Sequence, residues 1–172
     1  MIIGIDNGLD GGLVAISKTT GSIINKTIMP TQHRAGKREV DTRKLYDWIM
    51  SLGQCADDFL VAVEEPLKHA KSSQAVRSMG ISFGKIVGLC ESRQWAHCCV
   101  SVHKWQKKMI GNTPKGKTKE AALWKAECLA PDECWQKSKR ATKPHDGMID
   151  AFLIAHYIKD KYYQNKSIYL RM

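Results

Sequence analysis

The hydrophobic pattern begins at the first residue. Met1-Ile2-Ile3-Gly4-Ile5 is a short apolar run that ends in Asp6. A run of this length, followed by turn residues, predicts a buried strand. Gly8-Leu9-Asp10-Gly11-Gly12 reads as a tight turn whose glycines supply positive φ. Leu13-Val14-Ala15-Ile16 predicts a second strand. Thr19-Thr20-Gly21-Ser22 is the next turn, and residues 23–29 form a third strand that Pro30 stops. Connections this short make the three strands an antiparallel meander.

Residues 31–39 are polar and carry His33, Arg34, Lys37 and Arg38. They predict a solvated loop, with a nucleic-acid contact as the alternative. Asp41-Thr42 opens a helix with Leu45, Trp48, Ile49 and Leu52 at helical spacing, and Gly53 stops it. Residues 59–63 form a fourth strand that runs into Glu64-Glu65-Pro66. The intervening helix makes the first and fourth strands parallel neighbours through a right-handed crossover.

Residues 71–93 have helical periodicity, with Val76, Met79, Phe83, Ile86, Val87 and Cys90 as the apolar stripe. Gly80, Gly84 and Gly88 share one face. Each costs about 1 kcal/mol against alanine in a helix interior. Three in register predict close approach of another backbone, the chain's own sheet ahead of a second subunit. Residues 98–102 form a fifth strand. Two basic clusters follow it: His103-Lys104-Trp105-Gln106-Lys107-Lys108, and Lys115-Gly116-Lys117-Thr118-Lys119-Glu120 at the start of a helix through Ala130. Lysines at a helix start oppose its dipole, and a bound phosphate relieves that cost. Either cluster alone reads equally well as a solvated loop. Residues 136–144 are a basic linker, the final helix begins near His145, and the tail from about residue 160 is expected to fray.

The 172 residues suit one domain with a full core. Lys and Arg total 27 against 17 Asp and Glu, for a net charge of +10, which points to a polyanionic partner. No apolar run is long enough to span a bilayer and no signal-peptide pattern opens the chain, so an intracellular, cytoplasmic protein of a bacterial or phage-infected cell is expected. Cys55, Cys90, Cys98, Cys99, Cys128 and Cys134 are scattered, without a CxxC pair. They are expected to be reduced, small core residues rather than disulfides or, with His97 and His103, a zinc site.

The acidic residues change the picture. Asp6 and Glu64 each end an apolar strand, and burying either unpaired is costly. Asp146 and Asp150 lie four apart on one face of the final helix, where like charges repel. Convergence of Asp6, Glu64, Asp146 and Asp150 on a cation answers all of these costs together.

These segments resemble the RuvC-type Holliday junction resolvases of the ribonuclease H-like superfamily, most closely the compact phage forms. The resemblance rests on Ile-Gly-Ile-Asp6-Asn-Gly, Val-Ala-Val-Glu64 and His-Asp146-Gly-Met-Ile-Asp150-Ala. Gly-Leu-Asp-Gly-Gly-Leu-Val-Ala, Met29-Pro30 and Lys117-Thr-Lys119-Glu120 extend it over nearly the whole chain. It implies an α/β fold over residues 1–172 as a single nuclease domain. That fold is a five-stranded mixed sheet, three antiparallel strands then two parallel, flanked by helices. It also implies a homodimer that binds four-way junctions, and two Mg²⁺ ions per site, replaceable by Mn²⁺, among Asp6, Glu64, Asp146 and Asp150. Lys119 matches a catalytic lysine; Lys104, Lys107 and Lys108 compete for another position, and with Lys115, Lys117 and Lys119 they form the expected nucleic-acid contacts. Departures are the four-residue spacing of the last two acids, with His145 as an alternative ligand, and Pro66, Leu67 and His69 where some members carry an aromatic.

The function expected is metal-dependent resolution of four-way junctions by paired phosphodiester hydrolysis. The rivals are a broader branched-DNA or RNA–DNA hybrid nuclease, and a junction-binding protein that does not cut. An actin-like kinase needs two lobes, for which the chain is too short.

Overall fold

A computed structural model describes residues 1–53, 59–67 and 72–164 of the chain. Three strands come first: β1 (Ile2–Ile5), β2 (Gly12–Ile16) and β3 (Ile23–Ile28). β4 (Thr31–Arg34), β5 (Lys37–Val40) and α1 (Thr42–Met50) follow. Then come β6 (Leu60–Glu64), α2 (Ser73–Ser92), β7 (His97–Val100), α3 (Val102–Met109), α4 (Thr118–Leu129) and α5 (Asp146–Gln164).

The main sheet has the order β3-β2-β1-β6-β7. β1 pairs antiparallel with β2, β2 antiparallel with β3, and β1–β6 and β6–β7 are parallel. The expected mixed sheet is therefore present, and β1, β3, β6 and β7 all end at one edge. Side chains alternate across it. Ile2, Val14, Ile16 and Ala62 face α3, α4 and α5, where Trp105, Trp135 and Phe152 fill the core. Ile3, Ile5, Leu13, Ala15, Val61 and Val63 face α1 and α2 with Phe59, Ile86 and Trp95. Asp41 caps α1, its side chain accepting from the Lys44 amide, and the helix ends at Met50, before Gly53. No helix among the described residues is long and apolar enough to cross a membrane.

Two expectations need correction. Residues 31–40 are not a loop: β4 and β5 form an antiparallel hairpin of their own. Its two-residue turn, Ala35 at φ 48 and Gly36 at φ 73, has the left-handed geometry that matches strand twist. The first basic cluster after β7 is the helix α3, with Trp105 and Met109 buried four apart. The tail, expected to fray from about residue 160, is helical as far as Gln164. Residues 165–172, Cys55 and His69 lie outside the described residues.

The glycines reverse their expected roles. Gly8, Gly11 and Gly12 are not positive-φ residues. Gly12 is needed because α5 lies directly on it: a Cβ there would sit 2.7 Å from the Met148 nitrogen, and one on Gly147 would sit 2.5 Å from Gly11. Gly4 is likewise covered by the Ala151 carbonyl. Gly80, Gly84 and Gly88, expected to meet the chain's own sheet, have nothing within 4 Å of an added Cβ among the described residues. Gly147→Ala should therefore cost about 3 kcal/mol by forcing α5 off the sheet. In the isolated protomer, Gly84→Ala should gain about 1 kcal/mol of helix stability. Urea denaturation measures both, and equal effects would contradict this packing.

Candidate active site

Asp6 follows β1 directly, and Glu64 is the last residue of β6. The register pairs Ile5 with Val63, so the two acids leave adjacent parallel strands side by side. The chain then turns at Gly8, whose N–H donates to Asp6 Oδ1 at 3.0 Å, and Gly11 N–H closes the turn on Gly8 O at 2.9 Å. α5 reaches the same edge through its first turn, held by a backbone bridge between Gly11 and Gly147. Asp146 and Asp150 thus stand over the ends of β1 and β6.

Each of the three buried acids is shifted by the charge of at least one other acid of the four. Burial pushes the Asp6 carboxyl above its usual range; the Gly8 N–H opposes this, and the charges of Asp10 and Asp146 add to it. Glu64 is raised by burial and then by Asp6 and Asp150, against a hydrogen bond from Trp105. Asp150 rises from 3.8 to about 7, through burial and then the charges of Asp6 and Asp146, with Lys119 opposing. Asp146 is more exposed and pairs with Lys119. That hydrogen bond is the main reason the Lys119 ammonium holds its proton more tightly.

Two further side chains shape the site, and sequence reasoning gave neither this role. Trp105 is fully buried and donates from Nε1 to Glu64 Oε1 at 2.7 Å. Its place within a basic cluster read as nucleic-acid contact; the ring instead orients a carboxylate. Asn7 is also fully buried and donates from Nδ2 to the Glu64 carbonyl at 2.6 Å, tying the ends of β1 and β6 together. Its Oδ1 has no hydrogen-bond partner among the described residues. An Asn between Asp and Gly looks like turn chemistry, so no local signal marks it. His145 serves the helix: its Nδ1 accepts from the Met148 amide at 3.2 Å.

The lysines separate into two groups. Lys119, in the first turn of α4, belongs to the acidic edge. Lys117 precedes that helix and pairs with Glu120 at 2.8 Å, and Lys115 lies exposed in the preceding turn. Lys104, Lys107 and Lys108 are elsewhere. They line a cavity of about 470 Å³ with Tyr157, Asp160 and Lys161. Asp160 stands ten residues beyond Asp150 on α5, about 15 Å along the axis. Of the described thiols, only Cys90 is a buried core residue; Cys98 is half-buried and Cys99, Cys128 and Cys134 are exposed.

The donor set suits a hard divalent cation, since it consists of carboxylate oxygens that repel one another without one. The side chains as they stand do not close on such an ion. Glu64 gives one oxygen to Trp105 and Asp146 gives one to Lys119. Among the described residues no three His, Cys, Asp or Glu side chains gather closely enough to hold a metal.

No protein-family model matches the chain, and no curated protein does. Solved structures do. A T. thermophilus RuvC in complex with a Holliday junction substrate matches with a TM-score of 0.60 at 14% identity, over 96% of this chain and 94% of that one. A second Thermus thermophilus RuvC structure matches with a TM-score of 0.56 at 16% identity, over 95% of each chain. The chain has the RuvC, ribonuclease H-like fold.

A carboxyl whose folded pKa lies above its unfolded value takes up protons on folding. Asp6, Glu64 and Asp150 therefore contribute stability that is fully present below about pH 4. That contribution is lost as pH rises through the raised values, about 6 for Asp6, about 7 for Asp150 and about 8 for Glu64. In EDTA, the melting temperature should fall across this window from their contribution, and Asp150→Asn should flatten the fall. Calorimetry from pH 4 to 8 checks it, and an unchanged slope in the variant would contradict the repulsion described.

Proposed function

We propose that the chain is a structure-selective DNA endonuclease that resolves four-way junctions by paired phosphodiester hydrolysis. The observation that carries this reading is that Asp6 and Glu64 end adjacent parallel strands of a RuvC-type sheet while the first turn of α5, with Asp146 and Asp150, is bridged to the same edge. The net charge of +10 supports a nucleic-acid partner. The T. thermophilus neighbour is described in complex with a Holliday junction substrate, which supports branched DNA as that partner.

In this reading Asp6, Glu64, Asp146 and Asp150 hold two Mg²⁺ ions, for which Mn²⁺ substitutes. The chemistry such ions supply is a water of lowered pKa and neutralisation of charge at the leaving oxygen. The chain's own residues do the rest. Trp105 fixes one Glu64 oxygen and leaves the other for a cation. Asn7 holds the Glu64 backbone against β1. Lys119 trades Asp146 for a phosphate oxygen when the substrate arrives, and Lys115 and Lys117 bind the flanking backbone. Lys104, Lys107 and Lys108 contact the nucleic acid further out, around Tyr157.

Paired cutting needs two such sites. A second copy of the chain fits the C-terminal half of the open α2 face, beyond the hairpin, where Gly84 and Gly88 meet nothing among the described residues of this protomer. A two-fold axis there relates the two acidic edges, one for each of two strands.

The deciding experiment is incubation with Mg²⁺ and a synthetic four-way junction, with products mapped on every strand and flap and RNA–DNA hybrid substrates alongside. Symmetric nicks in two strands are expected, lost in Asp6→Asn and in Glu64→Gln while junction binding persists. Normal cleavage by either variant would overturn the assignment. In sedimentation the native chain should run as a dimer and Gly84→Arg as a monomer with unpaired nicks. A monomeric native chain would remove the α2 interface.

A further inference from the structure

The β4–β5 hairpin accounts for a surface that the lysines of α3 and α4 do not. With the first turns of α2 it walls a groove of about 790 Å³. Lys37, Arg38 and Arg77 line it, with Gln74 and the exposed Ile81. Leu9 also lines it, so the groove reaches the turn that follows Asp6.

The hairpin is not explained by core packing. Most of it is exposed, and a two-stranded sheet alone is marginal in water. Polar links hold it upright. Glu39 pairs with Lys85 of α2 at 2.6 Å, both side chains partly shielded. Arg38 donates to Asp10 Oδ1 at 2.7 Å and to the Leu9 carbonyl at 2.6 Å. These links also neutralise the two acids beside the groove. Among the described residues, no ion pair neutralises Lys37 or Arg77. The rim is left net positive.

We propose that this groove binds the sugar–phosphate backbone of a duplex DNA arm and leads it to the Asp6–Glu64 edge. The inference rests on the nuclease reading above and extends it to the α1–α2 side of the sheet. Lys, Arg, Ser and Gln side chains are the usual phosphate contacts, and Ser73 and Ser78 add hydroxyls here. No aromatic side chain lines the groove among the described residues, so it offers no stacking platform for unpaired bases. A duplex crossing the edge meets positive charge on both faces of the sheet, with the carboxylates between.

The test is fluorescence anisotropy in EDTA, with a labelled four-way junction and a plain duplex of one arm's sequence, across a salt series. The probe proteins are the native chain, Lys37→Gln, and the double variant Lys37→Gln/Arg77→Gln. At about 0.1 M salt the double variant should bind at least tenfold more weakly, and its log–log salt slope should shrink by about 2, near 0.9 per lost phosphate contact. The single variant should lose about half of that slope change, which keeps the test decisive if the double variant melts early. Native binding with unchanged affinity and slope in the variants would overturn the groove while leaving the nuclease reading intact. Absence of any DNA binding by the native chain would overturn both.

Discussion

Backbone rests on backbone where α5 crosses β1 and β2, and that contact sets the geometry of the acidic edge. Gly4, Gly12 and Gly147 lack the Cβ atoms that would hold helix and sheet apart. α5 therefore lies lower on the sheet than side-chain packing normally allows, where interaxial spacings are set by interdigitating residues. Its first turn is drawn down to Gly11, and Asp146 and Asp150 arrive beside acids more than eighty residues earlier in the chain. The apolar body of the helix then locks the arrangement, with Met148, Ile149, Phe152 and Leu153 all buried.

The same closeness creates the site's main electrostatic cost. Asp6, Glu64 and Asp150 are all pushed toward the neutral acid by burial and by one another. A fold that keeps such a cluster gives up stability for a poised charge, a trade common at functional sites. The excess of lysine and arginine does not relieve it, because among the described residues only Lys119 reaches the carboxylates with a hydrogen bond. Most cations point outward, where an anionic partner would meet them.

Much of the frame was legible in the sequence. Alternating faces, short turns and one crossover helix specify the sheet order, and two apolar strands ending in acids specify an edge. Long-range closeness was not legible. The glycines at 80, 84 and 88 and those at 11 and 12 carry the same local signal, yet only the second group is in backbone contact, because the partner of Gly12 lies over a hundred residues away. The hairpin was missed because its strands lack apolar alternation; ion pairs hold it instead. Trp105 was missed because aromatic-plus-lysine composition says nothing of which side of a short helix is buried. The candidate acids were readable as residues, and their shared field was visible only once α5 was placed.

Arg38 ties these levels together. Its guanidinium reaches Thr31 on the neighbouring strand, and Asp10 and Leu9 in the turn after β1. Glu39, the next residue, anchors to α2 through Lys85. The hairpin is thus fastened at two points, to α2 and to the turn after Asp6, and it bridges the two by polar contacts rather than by apolar packing.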